Sequence, residues 1–122
     1  MSNAEKAITL YLLKTHFTDT EYPGETFFCP FCIQVEGLLA SFPVIRHDLD
    51  IRYVDFQKPR GELAKLCGEE NQSCPQIIFP QGDDAHSGEY SIDGLEGVRC
   101  INDTKAILDY LARRIGLPRQ HP

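Results

Sequence analysis

The sequence has 122 residues, 42% of them hydrophobic and 25% charged, and a formal net charge of −6. That length and balance fit one globular domain around a single core, and an acidic chain whose twelve basic residues are dispersed is not built to neutralise phosphates. No run approaches the ~18 apolar residues of a membrane helix, and no basic segment leads into an apolar stretch and cleavage site at the N-terminus. A cytoplasmic protein without nucleic-acid or membrane partners is expected.

Ser2-Asn3-Ala4 matches the scar left by removal of an expression tag, so residues 1–6 are set apart as a disordered N-terminus. The domain is expected over 7–116, with 117–122 as a C-terminal tail. Ala7 to Leu13 is a short apolar run with the length and branching of a buried strand. The polar stretch that follows carries Pro23-Gly24 and forms a long loop over 15–28. From Cys32, the spacing of Val35, Leu38, Leu39 and Phe42 traces one face of a helix that stops before Pro43.

Leu49 to Phe56 alternates apolar and charged residues as a second strand does. Pro59 sits as an early residue of a second helix whose apolar face is Leu63, Leu66 and Cys67, with Gly68 as its C-cap. Gln76 to Phe79 is a third strand, entered through Cys74-Pro75, and Gly88 to Ile92 a fourth, set off by the turn residues Gly82-Asp83-Asp84. Asn102 to Ile115 closes the chain with a capped amphipathic helix that ends at Gly116 and Pro118. The expected fold is α/β, in the order βαβαββα, with a mixed four-stranded sheet flanked by helices.

Five cysteines without a secretion signal argue against a disulfide framework, and their odd number leaves at least one thiol unpaired within the chain. Cys29 and Cys32, two residues apart at the start of the first helix, carry the chemical interest. Unsatisfied N–H groups and the helix dipole at such a position stabilise a thiolate, and a cysteine one turn further in can resolve a mixed disulfide. A CxxC alone fits a redox dithiol, half of a zinc site or a pair of buried thiols. A structural zinc site asks for a second ligand pair at similar spacing, and Cys67 and Cys74 lie too far apart to provide it.

The element order, the CxxC between first strand and first helix, and Pro75 opening the third strand together resemble the thioredoxin superfamily over nearly the whole chain. Cys29-Pro30-Phe31-Cys32 is similar to the glutaredoxin pattern Cys-Pro-aromatic-Cys. Asp103-Thr104-Lys105-Ala106-Ile107 with Tyr110-Leu111 resembles the last helix of the glutathione transferase N-terminal domain. Tyr22-Pro23-Gly24 before the CPxC and Glu69 to Ser73 before the proline resemble a small bacterial thioredoxin-like family filed as a domain of unknown function.

The resemblance implies that Cys29 is the nucleophile and Cys32 the resolving thiol. It also implies that Cys74 and a cis-Pro75 face them and shape a substrate groove, and that Asp103 and Thr104 hold the γ-glutamyl end of glutathione, the expected co-substrate. No bound cofactor is expected, and a protein disulfide is the other partner.

Each of these residues has a plainer reading. Cys74 is a small side chain packed behind the dithiol, or a third sulfur that forms an alternative disulfide or joins Cys29 and Cys32 around zinc with His16 or a solvent ligand as the fourth. Asp103 and Thr104 are cap residues. Phe17, Tyr22, Phe27 and Phe28 anchor the 15–28 loop, which otherwise lies over the dithiol as a lid. Cys67 is a core residue and Cys100 an inert thiol without a partner. His16, His47, His86 and His121 face solvent, and Glu69-Glu70 and Asp83-Asp84 lie in solvated loops. Glutaredoxins place a basic residue just before CPxC; here only Lys58 and Arg60, beyond the second strand, replace it. Thiol–disulfide exchange is the expected activity, and a non-catalytic binding module with zinc-binding or structural cysteines is the alternative.

Overall fold

A computed structural model describes residues 8–79 and 90–122; the expected tag scar and the Gly82-Asp83-Asp84 turn lie outside them. Strand β1 (Ile8–Leu13) leads through the 15–28 loop to helix α1 (Pro30–Ser41) and a short 3₁₀ helix (Pro43–Asp48). Strand β2 (Leu49–Val54), helix α2 (Leu63–Cys67), strands β3 (Gln76–Phe79), β4 (Ile92–Asp93) and β5 (Arg99–Ile101), and helix α3 (Thr104–Arg114) follow. The sheet has five strands in the order β2-β1-β3-β5-β4, with β1 parallel to β2 and the other pairs antiparallel.

The expected four-stranded sheet is thus corrected to five. Of the segment assigned to the fourth strand, Gly88 and Glu89 are outside the described residues, and pairing begins only at Ile92. The strand that fills the sheet beside β3 is Arg99–Ile101, which is three residues long and too short to show a period. Arg99 ties this hairpin together by donating to Ser91 and to the Asp93 carboxylate.

β1 reads as a nearly unbroken apolar run because both faces of the sheet are covered. Leu10, Leu12, Ile77, Phe79 and Ile101 pack with Val35 and Leu39 of α1 and Ile107, Tyr110 and Leu111 of α3. The alternate residues Tyr11, Ile78 and Cys100 pack with Leu63 and Cys67 of α2 on the opposite face. Each of the fully enclosed large side chains contributes roughly 1.5–3 kcal/mol through burial.

The second strand ends at Val54, and α2 begins at Leu63 rather than at Pro59, which stands in the preceding turn after a cis Lys58-Pro59 bond. Gly68 closes α2 with φ of 107°, a backbone conformation open to glycine. Gly94 makes a second demand of this kind. A Cβ there would lie 2.7 Å from the Leu66 carbonyl oxygen and 2.9 Å from Cys100 Sγ, so only glycine lets the β4–β5 turn approach α2. Among the described residues no helix is long and apolar enough to cross a membrane.

Candidate functional site at the first helix

Cys29 is the N-cap of α1, in extended backbone conformation, and Pro30 occupies the first helical position. A proline fits there because its missing N–H would have had no partner within the helix. The Cys29 sulfur takes the place of a Ser or Asp oxygen in the cap, accepting a hydrogen bond from the Cys32 amide at 3.2 Å. The first turn holds no acidic side chain, so nothing on the helix competes with a thiolate for its positive end.

Cys32 lies one turn in, 3% exposed, and its sulfur accepts from the Leu13 amide at 3.5 Å. The end of β1 therefore seals the inner thiol, while Cys29, 8% exposed, lies nearer the surface. Phe28 and Phe31 on either side of Cys29 are exposed.

The two thiols are driven apart in acidity. Cys29 is pulled down to about 6, first by the hydrogen bond from the Cys32 side chain, then by the amides of Cys32 and Phe31 and the charge of Arg60, all against the cost of burial. Cys32 is raised, because it donates to Cys29 and is buried. The Cys29 thiol also faces the Cys74 carbonyl, an arrangement that favours the protonated form, but at 3.8 Å this contact is weaker than the 3.2 Å amide bond.

Cys74 is half-buried and Pro75 buried, and the peptide between them is cis, the form that the resemblance implies. Burial pushes the Cys74 thiol up to about 11, although the charge of Arg60 opposes the shift. Of the two basic residues expected to stand in for the missing one before CPxC, Arg60 is the one whose charge acts on Cys29. Its guanidinium lies over the Phe56 ring, 5.0 Å from the centroid, and Phe56 in turn stacks on Phe17 of the 15–28 loop at 4.7 Å.

The loop is anchored on one side and open on the other. Phe17 and Phe27 pair their backbones, with N···O distances of 2.9 and 2.8 Å, whereas Tyr22 and Phe28 remain more than half exposed. His16, His47 and His121 are exposed, as expected; His86 falls outside the described residues. Among the described residues no three His, Cys, Asp or Glu side chains converge as metal ligands do.

Asp103 is the N-cap of α3 and accepts from the Ala106 amide at 3.0 Å; Thr104 is the first helical residue. Capping is therefore a role this residue fills. The register of β3 and β5 pairs Ile77 with Ile101, which brings the start of α3 to the same end of the sheet as Cys74. Asn102 reaches across to Asn71, three residues before Cys74, at 3.0 Å.

Cys67 and Cys100 correct the expectation of unpaired core thiols: they are joined in a disulfide between α2 and β5. The alternation of β5 puts Cys100 on the face covered by α2, but that signal exists only once Arg99–Ile101 is recognised as a strand. Cys29, Cys32 and Cys74 are left as free thiols. The family model described as a protein of unknown function, DUF3088, matches residues 8–119.

The chain belongs to the DUF3088 family. Neither a curated protein nor a solved structure matches it. In this DUF3088 chain the match spans every described strand and helix, together with the dithiol, Arg60, Cys74-Pro75 and the start of α3.

Proposed function

We propose that this chain is a thioredoxin-like, glutaredoxin-type thiol–disulfide oxidoreductase that uses Cys29 and Cys32, with glutathione or a protein disulfide as its partner. The observation that carries the reading is the asymmetry of the pair: an outer sulfur capped by a helix amide and a positive charge, and an inner one sealed under β1. The parallel β1–β2 pair, the antiparallel β3 and the Cys74-Pro75 step beside the dithiol support the thioredoxin-like part.

In the proposed reaction the Cys29 thiolate attacks one sulfur of the substrate disulfide. A Cys29–substrate S–S bond forms, the substrate S–S bond breaks, and the departing thiolate takes up a proton. The mixed disulfide removes the Cys29 thiolate that had kept Cys32 protonated, so Cys32 loses its proton and attacks Cys29. The second substrate thiol leaves, and the two electrons it carries away leave Cys29 and Cys32 joined. Two glutathione thiols then restore the dithiol and emerge as glutathione disulfide.

The backbone beside Pro75 would pair with the cysteinyl segment of the substrate, and Asp103 with Thr104 would receive the γ-glutamyl group. Capping does not compete with this, since a helix N-terminus favours a carboxylate and an adjacent acid an ammonium. The alternative, a binding module with structural cysteines, is favoured by Cys67 and Cys100 but not by the dithiol. Turnover of a glutathione mixed disulfide by wild type and Cys29→Ser separates the two readings. Loss of turnover in the variant supports the oxidoreductase; equal rates remove Cys29 from the nucleophile role.

A further inference from the structure

Gln72 lies in the connection between α2 and β3 and is 6% exposed. Burying a carboxamide costs ~1–3 kcal/mol unless its polar atoms are bonded, so a buried glutamine is explained by its partners. Among the described residues, Gln72 makes two hydrogen bonds to one residue, Arg60. Its Oε1 accepts from the Arg60 amide at 2.8 Å, and its backbone carbonyl accepts from Arg60 Nη1 at 3.1 Å. Its Nε2 donates to the Glu69 carbonyl at 2.9 Å, which fixes the carboxamide in turn.

Arg60 is held from its other side as well. Its Nε donates to the Phe56 carbonyl at 2.7 Å, and the guanidinium rests on the Phe56 ring. Backbone, side chain and ring contacts thus leave the guanidinium little freedom, and a planar fork can meet all of them at once where a lysine ammonium could not. Held in this way, its positive charge acts on both Cys29 and Cys74.

We propose that Gln72 is a positioning residue which clamps Arg60 through its carboxamide and its carbonyl, and so fixes a positive charge beside Cys29 and Cys74. The inference rests on the oxidoreductase reading and adds to it the device that supplies the missing basic residue before CPxC. Because burial keeps Cys74 a neutral thiol, the charge is not consumed by a local ion pair and acts on Cys29. Without the clamp the guanidinium would turn outward to water, where its influence on Cys29 is screened.

The test is the pH midpoint of Cys29 alkylation, resolved by peptide mass spectrometry, in wild type, Gln72→Met, Arg60→Met and the double variant. Gln72→Met keeps the volume and removes the acceptor. Each single variant should raise the midpoint by about half a unit to one unit, and the double variant should go no further than Arg60→Met. Gln72→Glu, which keeps an acceptor for the Arg60 amide but sets a negative charge close to Arg60 and so offsets its positive one, should raise the midpoint at least as far; it serves if Gln72→Met does not fold.

A Gln72 effect that persists undiminished without Arg60, or no Gln72 effect while Arg60→Met shifts the midpoint, overturns the clamp. So does a low wild-type midpoint that neither substitution moves. An ordinary midpoint in wild type overturns the oxidoreductase reading itself, so the two failures are distinguishable.

Discussion

The Cys32 amide donates to the Cys29 sulfur across 3.2 Å, while the Cys32 thiol lies beneath it against the Leu13 amide. One residue therefore meets the outer sulfur through its backbone amide and keeps its own sulfur beneath it. If the order of attack follows this geometry, Cys32→Ser should stall after the first step. Incubated with glutathione disulfide, that variant should accumulate one glutathione adduct at Cys29, visible by mass, where wild type proceeds to the internal disulfide. An adduct at Cys74 instead would reassign the nucleophile.

The raised acidity of Cys29 also bears on stability. A thiol whose folded value is depressed to about 6 contributes stability that is fully present above its unfolded value of ~8.5 and is lost as pH falls through about 6. The difference in unfolding free energy between reduced wild type and Cys29→Ser should therefore grow as pH rises from ~6 to ~8.5. Urea titrations across that window measure it. A difference that shrinks with rising pH would mean that Cys29 is not held as a thiolate.

The Cys67–Cys100 bond closes a loop with a sequence separation of 33. By chain entropy alone a cross-link of that span contributes ~3–4 kcal/mol. Replacing both cysteines with serine should lower the unfolding free energy by about that amount, with Cys29 still reactive because the dithiol packs on the other face of the sheet. Equal stability of the double variant and the wild type, without reductant, would show that the pair is not bonded in solution.

Asp103 has a capping contact and a proposed ligand role, and two substitutions separate them. Asp103→Ala should cost ~1 kcal/mol through the lost cap. Asp103→Asn keeps the cap within a few tenths of a kcal/mol but removes the charge that would meet an ammonium. It should raise the KM for glutathione and leave reduction of a protein disulfide by another dithiol unchanged. Unaltered glutathione kinetics in Asp103→Asn would confine this residue to capping.

The elements with a clear period were legible from residues alone. β1, α1 and α3 announce themselves through an apolar run and two helical stripes, and Cys29-Pro30 marks the start of α1 within a residue. Pro59 misled because proline suits both the first turn of a helix and the turn that precedes one; the closed face of α2 begins only at Leu63. β5 escaped notice because three residues carry no measurable alternation, and with it went the partner of Cys100.

Of the site, the dithiol and Cys74-Pro75 could be placed by spacing and resemblance, since they depend on local position along the chain. The Arg60 clamp could not. It depends on a glutamine twelve residues away and on a ring stacked with the 15–28 loop, contacts that only the folded chain brings together.

The most direct test of the central claim is the pH dependence of Cys29 alkylation in wild-type protein with its dithiol reduced and Cys67–Cys100 intact. A midpoint near 6, with the rate level above it and falling about tenfold per unit well below, is the result expected of a helix-capped thiolate. A midpoint at or above the ordinary thiol value of ~8.5, or a Cys32 that labels before Cys29, would contradict it.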